Sequence, residues 1–122
     1  RMCVAKESHI ALLERSVASF NEYRTDNPEE QIDLRGAIFH DNDFPDVDLH
    51  GADLSGSSWR GVNLAGANLT DVQADLADFE GAILTGAHVW RAKFLNANLA
   101  HADMRDILGL ETADLTGTEY AR

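Results

Sequence analysis

From Ile32 the apolar residues recur every five positions, and the period holds without a slip through Asp106. A strand would alternate with a period of roughly 2 and a helix with one of about 3.6. The pattern matches neither. Each block of five has a central residue that is usually large: Leu34, Phe39, Phe44, Leu49, Leu54, Trp59, Leu64, Leu69, Ala74, Phe79, Leu84, Val89, Phe94, Leu99 and Met104. Two positions earlier stands a residue that is mostly small or β-branched, as in Ala52, Val62, Ala67, Ala77 and Ala97. The residue between them is often Asp, Asn or Ser. Eight of the nine glycines close a block. Residues two apart on extended backbone share a face, so the central and minus-two residues point one way and the residue between them points the other. The last two residues of a block must turn a corner, where glycine supplies a positive φ or leaves room.

Before Ile32 the pattern is different. From about Lys6 to Arg24, Ile10, Leu13, Val17 and Phe20 fall three and four apart, with Leu12 and Tyr23 flanking that stripe. Glu7, Glu14, Arg15 and Glu22 lie on the opposite side, which predicts one amphipathic helix. Asp26-Asn27-Pro28 ends it, because proline disfavours helical backbone at the residue before it. A single amphipathic helix needs a surface on which to dock.

The blocks Ala52-Asp53-Leu54, Ala67-Asn68-Leu69 and Ala97-Asn98-Leu99 resemble pentapeptide repeats, and the resemblance covers roughly two-thirds of the chain. It implies an all-β solenoid: a right-handed quadrilateral β-helix with four blocks per coil. The expected organisation is an N-terminal capping helix and linker over residues 1–31, about four coils over 32–106, and a C-terminal cap or tail over 107–122.

Four blocks per coil would stack positions twenty apart. The expected columns are Leu34/Leu54/Ala74/Phe94, Phe39/Trp59/Phe79/Leu99, Phe44/Leu64/Leu84/Met104 and Leu49/Leu69/Val89. The undersized Ala74 neighbours the larger Phe94, as close packing requires. Two inward positions are polar, Asn42 and Ser57. Asn42 is expected to bond to backbone near the Phe44-Pro45-Asp46 corner. Pro45 belongs at the edge of a pairing region, since it cannot donate to a ladder. After Asp106 the run Ile107–Thr112 holds one residue too many before Ala113–Gly117 resumes the pattern. The apolar tail residues Ile107, Leu108, Leu110, Leu115 and Tyr120 either cover the last coil or meet the same tail of a second chain.

The net charge of −11 adds a soluble, self-repelling surface and disfavours direct contact with nucleic-acid phosphates. No stretch approaches the roughly 20 apolar residues of a membrane span, and no secretory leader is visible. Arg1-Met2 reads as a remnant ahead of a native Met, so a segment could lie upstream. The lone Cys3 fits a reducing, cytoplasmic setting.

Candidate chemistry is sparse. Asp41–Asp53 carries many carboxylates, but Pro45 stands where a calcium-loop ligand is needed and no Glu follows at the right distance. Asp33, Asp43, Asp48, Asp53, Asp78 and Asp103 are block-second residues and read as solvated surface. The histidines fall on different faces, Cys3 lacks an activating neighbour, and the glycine spacing matches no phosphate loop. No cofactor or metal is expected, and the chain reads as non-enzymatic.

What remains is surface. Asp41, Asp43, Asp46, Asp48 and Asp53 make an acidic zone with no Lys or Arg between Arg35 and Arg60. Leu76, Ile83, Trp90 and Leu95 are apolar at outward positions. The candidate partner-binding set is therefore Asp41, Asp43, Asp46, Asp48, Asp53, Leu76, Trp90 and Leu95. The first function expected is a non-catalytic protein–protein interaction scaffold, with a homodimer through the C-terminal end as one arrangement. The alternative rests on the resemblance, since some pentapeptide-repeat proteins mimic DNA, bind DNA gyrase and protect it from quinolones. Length argues against that alternative. Under four coils span roughly 18 Å at ~4.8 Å per coil, or about five base pairs.

Overall fold

A computed structural model describes residues 6–120. Its ladder is parallel and advances by twenty residues. Asp33 bridges to Asp53, Asp53 to Gln73 and Gln73 to Lys93; Asp43 bridges through Asn63 and Ile83 to Asp103, and Asp48 through Asn68 and His88 to Leu108. On the remaining face strand β1 (Ile38–His40) pairs in parallel with β2 (Ser58–Arg60), and Ser58 and Asp78 carry that column on towards Asn98. The chain thus returns to the same face every four blocks. Each contact between coils is short because one block places only its middle residues on a flat side.

The interior follows the five-residue pattern. Leu34, Leu54, Trp59, Leu64, Leu69, Ala74 and Phe79 are fully buried, as are Ala52, Val62 and Ala67 beside them. Phe39 lies 4.7 Å from Trp59, and Trp59 lies 6.3 Å from Phe79 with their planes only 8° apart, so one column is an aromatic stack. Ser57 is buried and satisfied: its hydroxyl donates to the Leu54 carbonyl and accepts from Trp59 Nε1 at 2.6 Å. Asn42 behaves differently from expectation. It is partly exposed, and its Oδ1 accepts from the His40 backbone N–H at 3.0 Å rather than bonding at the Phe44–Asp46 corner.

All fifteen block-closing residues from 36 to 106 adopt a positive φ. Seven are glycines; eight are not, including Leu76 at 63° and Arg91 at 56°. The corner therefore demands left-handed backbone whatever the residue, at a cost of about 1–2 kcal/mol where a Cβ is present.

The N-terminal region forms two helices, not one: α1 (Glu7–Arg15) and α2 (Val17–Asp26). Ser16 is extended, and its hydroxyl accepts from the Ser19 N–H at 2.9 Å, so it is the N-cap of α2. The helical spacing hid this break because the stripe resumes in phase after it. The buried residues are His9, Leu13, Phe20 and Arg24, while Ile10 and Val17 are only partly covered.

Both helices meet the first coil through its exposed backbone edge. Lys6 N–H donates to the Asp33 carbonyl, and Asp33 N–H donates to His9 Nδ1, each at 3.0 Å. Asn21 accepts from Asp48 N–H and donates to the Asp46 carbonyl. Arg24 donates to the Asp48 carbonyl at 2.8 Å and the His50 carbonyl at 2.7 Å.

At the other end the twenty-residue spacing persists to Leu108. It becomes twenty-one where Lys93 bridges to Asp114 and where β3 (Asn98–Leu99) pairs with β4 (Glu119–Tyr120). A 3₁₀ turn at Leu110–Thr112 absorbs the extra residue.

Candidate functional site

The candidate residues sit at three kinds of position. Asp48 and Asp53 are block-second residues, and their carboxylates accept from the N–H of His50 and Ser55 two residues on. Asp33, Asn63, Asn68, Asp78, Asn98, Asp103 and Asp114 do the same within their own blocks. This side-chain turn fixes the corner by giving the fourth residue's N–H a local acceptor. The block-second Asx residues are thus fasteners of the coil, and not the plain solvated surface read from the sequence. Asp48 is further occupied by His50 Nδ1 at 2.6 Å.

Asp43 is the exception that explains the rule. Proline at position 45 has no N–H to cap, so Asp43 Oδ1 instead accepts from Asn63 Nδ2 at 2.7 Å, one coil up. Asp41 and Asp46 are corner residues with φ near 60°. Their carboxylates lie against Gly61 and Gly66 of the next coil, where a methyl group would collide with them. Asp41, Asp43 and Asp46 are exposed, whereas Asp48 and Asp53 are half-buried. The acidic zone that faces solvent therefore narrows to three carboxylates on the second and third sides of the first coil.

The apolar candidates divide as well. Leu76 is 70% exposed in left-handed backbone, and its N–H donates to the Leu95 carbonyl, so the two are neighbours on adjacent coils. Trp90 is only partly exposed. Its ring lies against Gly109, where a Cβ would collide with it, so the tail passes directly over the indole. Ile38 escaped the set although it is 80% exposed, more than any other large apolar residue described. Its place, block-second on the first coil, was the signal available in the sequence.

Sequence reasoning also missed a polar hub between the helices and the coil. Glu30 accepts from Tyr23 Oη and bonds His9 Nε2, each at 2.6 Å, with Lys6 Nζ at 3.4 Å. His9 is fully buried, and because Nδ1 accepts from Asp33 its Nε2 must carry the proton given to Glu30. The bonds from Tyr23 and His9 hold the Glu30 carboxyl down at about 2, against its partial desolvation. Burial lowers the Arg24 pKa, and the nearby Asp48 carboxylate opposes this. Among the described residues no three His, Cys, Asp or Glu side chains gather as metal ligands would, and no helix is long and apolar enough to cross a membrane. A shallow cavity of about 210 Å³ lies between the helices, lined by Leu12, Arg15, Ser19, Glu22, Tyr23 and Asp26.

Comparison with known proteins points one way. The family model of pentapeptide repeats matches residues 30–56, 44–86 and 75–107, with 8 copies. Among solved structures, alr5209, a pentapeptide repeat protein from Nostoc Pcc 7120, is 24% identical with a TM-score of 0.57, over 98% of this chain and 99% of that one. Rfr23, a pentapeptide repeat protein from the cyanobacterium Cyanothece 51142, is 22% identical with a TM-score of 0.54, over 76% of this chain. The matched region spans 63% of Rfr23's length. These likenesses show the fold, and pentapeptide repeats imply a right-handed quadrilateral β-helix. QnrB1, a plasmid-mediated fluoroquinolone resistance protein, is 23% identical over 68% of this chain and 45% of its own length. Its TM-score of 0.49 is too low to bear on role. No curated protein matches the chain in sequence.

Proposed function

This chain belongs to the pentapeptide repeat family, and from that premise we propose that it is a non-catalytic scaffold that binds a protein partner through the sides of its first coil. The observation that carries the reading is the exposure of Asp41, Asp43 and Asp46 on a coil whose corners are otherwise fastened internally. Carboxylates held on rigid backbone lose little entropy on binding and attract a basic partner from a distance. Leu76 and Leu95 form a second, apolar contact two coils up, with Trp90 contributing its uncovered edge. Asp48 and Asp53 orient the coil rather than touch the partner. The helical region up to residue 31 acts as a cap, and the C-terminal end offers a second copy Met104 of the last coil and Leu115 of the tail, both partly exposed. The protein works in the cytoplasm, and nucleic acid is not its ligand.

The test is affinity capture with wild type against the triple variant Asp41→Asn, Asp43→Asn, Asp46→Asn. A specific partner retained by wild type and lost by the variant supports the scaffold. A partner retained equally by both removes the acidic zone from it.

The DNA-mimic reading is kept because the net charge is −11. It expects protection of DNA gyrase in a supercoiling assay. Absence of any effect at high protein concentration eliminates it. Light scattering separates monomer from tail-to-tail dimer.

A further inference from the structure

The first coil has a backbone edge on all four sides, and the helices close only two of them. On the Asp33 side the edge groups are taken by His9 and Lys6; on the Asp48 side they are taken by Asn21 and Arg24. Elsewhere in the ladder the block-second N–H always donates to the preceding coil, as Ser58 does to the Ala37 carbonyl at 2.8 Å and Asp78 to Ser57 at 2.8 Å. Its carbonyl accepts from that coil, as Asp78 does from Trp59 N–H at 2.7 Å. For β1 there is no preceding coil. Among the described residues nothing meets the outward N–H of Ile38 or the carbonyls of Ile38 and His40. The side chains agree. Under the helices Leu34, Val47 and Leu49 are wholly buried, while Ala37, Phe39 and Phe44 on the open sides keep 5, 2 and 4% exposure.

Open edges are usually blunted by charge or proline. The Asp43 side is blunted by both, through Asp43 and Pro45. Strand β4, at the far end, carries Glu119. Strand β1 carries neither charge nor proline and presents Ile38 at 80% exposure.

We propose that the free edge of β1 is a docking site for an extended, basic segment of a partner protein, added in register as one more strand. Main-chain bonds to Ile38 and His40 supply the pairing, an apolar partner residue covers Ile38, and flanking Lys or Arg residues meet Asp41 and Asp43. Charge selects this occupant over a second copy. Two chains of net charge −11 would bring Asp41, Asp43 and Asp46 of each against the other. The inference builds on the scaffold reading but does not stand or fall with it, since a partner held by side chains alone would leave the β1 backbone free.

The test is amide hydrogen exchange by NMR, with a blocked Lys-Val-Thr-Val-Lys peptide and its Glu-flanked counterpart as probes. The basic peptide should slow exchange at Ile38 by about tenfold, an effect that weakens with salt and with Asp41→Asn plus Asp43→Asn. In Ile38→Pro, which removes the donor, the peptide should no longer shift the amide resonances of Phe39 and Asp41. Should Ile38→Pro not fold, the Asp41/Asp43 pair of variants leaves the backbone intact and still decides. No slowing at Ile38, equal slowing by the acidic peptide, or protection at β4 instead would overturn the proposal. So would self-association without peptide that Ile38→Pro abolishes.

Discussion

The two ends of the solenoid carry the same repeat and meet solvent in different ways. At the first coil Ile32, Leu34, Val47 and Leu49 are at most 1% exposed because α1 and α2 lie beneath them. At the last coil Ala102, Met104, Ile107, Leu110 and Leu115 are only partly buried. Among the described residues a fifth layer starts over Phe94 and Leu99, through Asp114 and β4. The difference teaches what a repeat cannot do for itself. Every block is covered by the block twenty residues on, so the pattern specifies its own interior and leaves its ends to other sequence.

The largest effect should come from cutting the same kind of side chain at each end. Leu34→Ala removes buried methyl groups beneath the helices and should cost about 2–5 kcal/mol in urea unfolding. Met104→Ala acts where solvent already reaches and should cost less than about half of that. Equal losses would mean that the C-terminal layer is covered in solution, which would favour a tail-to-tail dimer over an open end.

Next comes the polar fastening. Arg24 is 6% exposed and donates to the carbonyls of Asp48 and His50. Arg24→Ala strands both acceptors at the helix–coil contact and should lower stability by about 1–3 kcal/mol. Arg105 looks similar on paper, bidentate to Asp103, but its side chain is 79% exposed and bonds only within its own block. Arg105→Ala should therefore cost no more than about 1 kcal/mol. Thermal melts of the two variants read the contrast directly. A large loss at Arg105 would show that the last coil depends on a corner ion pair as much as the first depends on its helices.

Much of this was legible in the residues. A period of five with glycine at the corners is a direct imprint of backbone geometry, so the blocks, the aromatic column through Trp59 and the one-residue slip before Asp114 could all be read from the chain. The break at Ser16 could not be read from the stripe, because two helices in phase look like one. It was visible only in Ser16 itself, a residue that caps better than it propagates. The role of the Asx residues was hidden for a similar reason. An outward Asp looks the same in sequence whether it faces water or, like Asp53, turns back on its own backbone. Which tail residue lies against Trp90 could not be read from the chain, because that residue, Gly109, has no side chain to announce a contact. Ile38 drew no attention because a single exposed Ile is ordinary until the edge beneath it is seen to be open.

The smallest effect, and the most selective, is on pH. Glu30 and Asp103 are both held down to about 2, one at each end of the molecule. A carboxylate whose pKa is depressed on folding stabilises the fold above its unfolded value of about 4. That contribution is lost as pH falls through the folded value. Both groups therefore withdraw support between about pH 4 and pH 2, as the two folded values require. What they release differs. Glu30 holds Tyr23 of α2, His9 of α1 and Lys6 together, whereas Asp103 holds chiefly Arg105, two residues away. Acid should loosen the helices from the first coil before it disturbs the last. Amide exchange at Asp33, whose N–H rests on His9, should rise across that window while exchange at Ile83 stays low. Glu30→Gln should flatten the response at Asp33, and Asp103→Asn should leave it unchanged. A response at Asp33 that survives Glu30→Gln would remove Glu30 as the origin of the acid sensitivity.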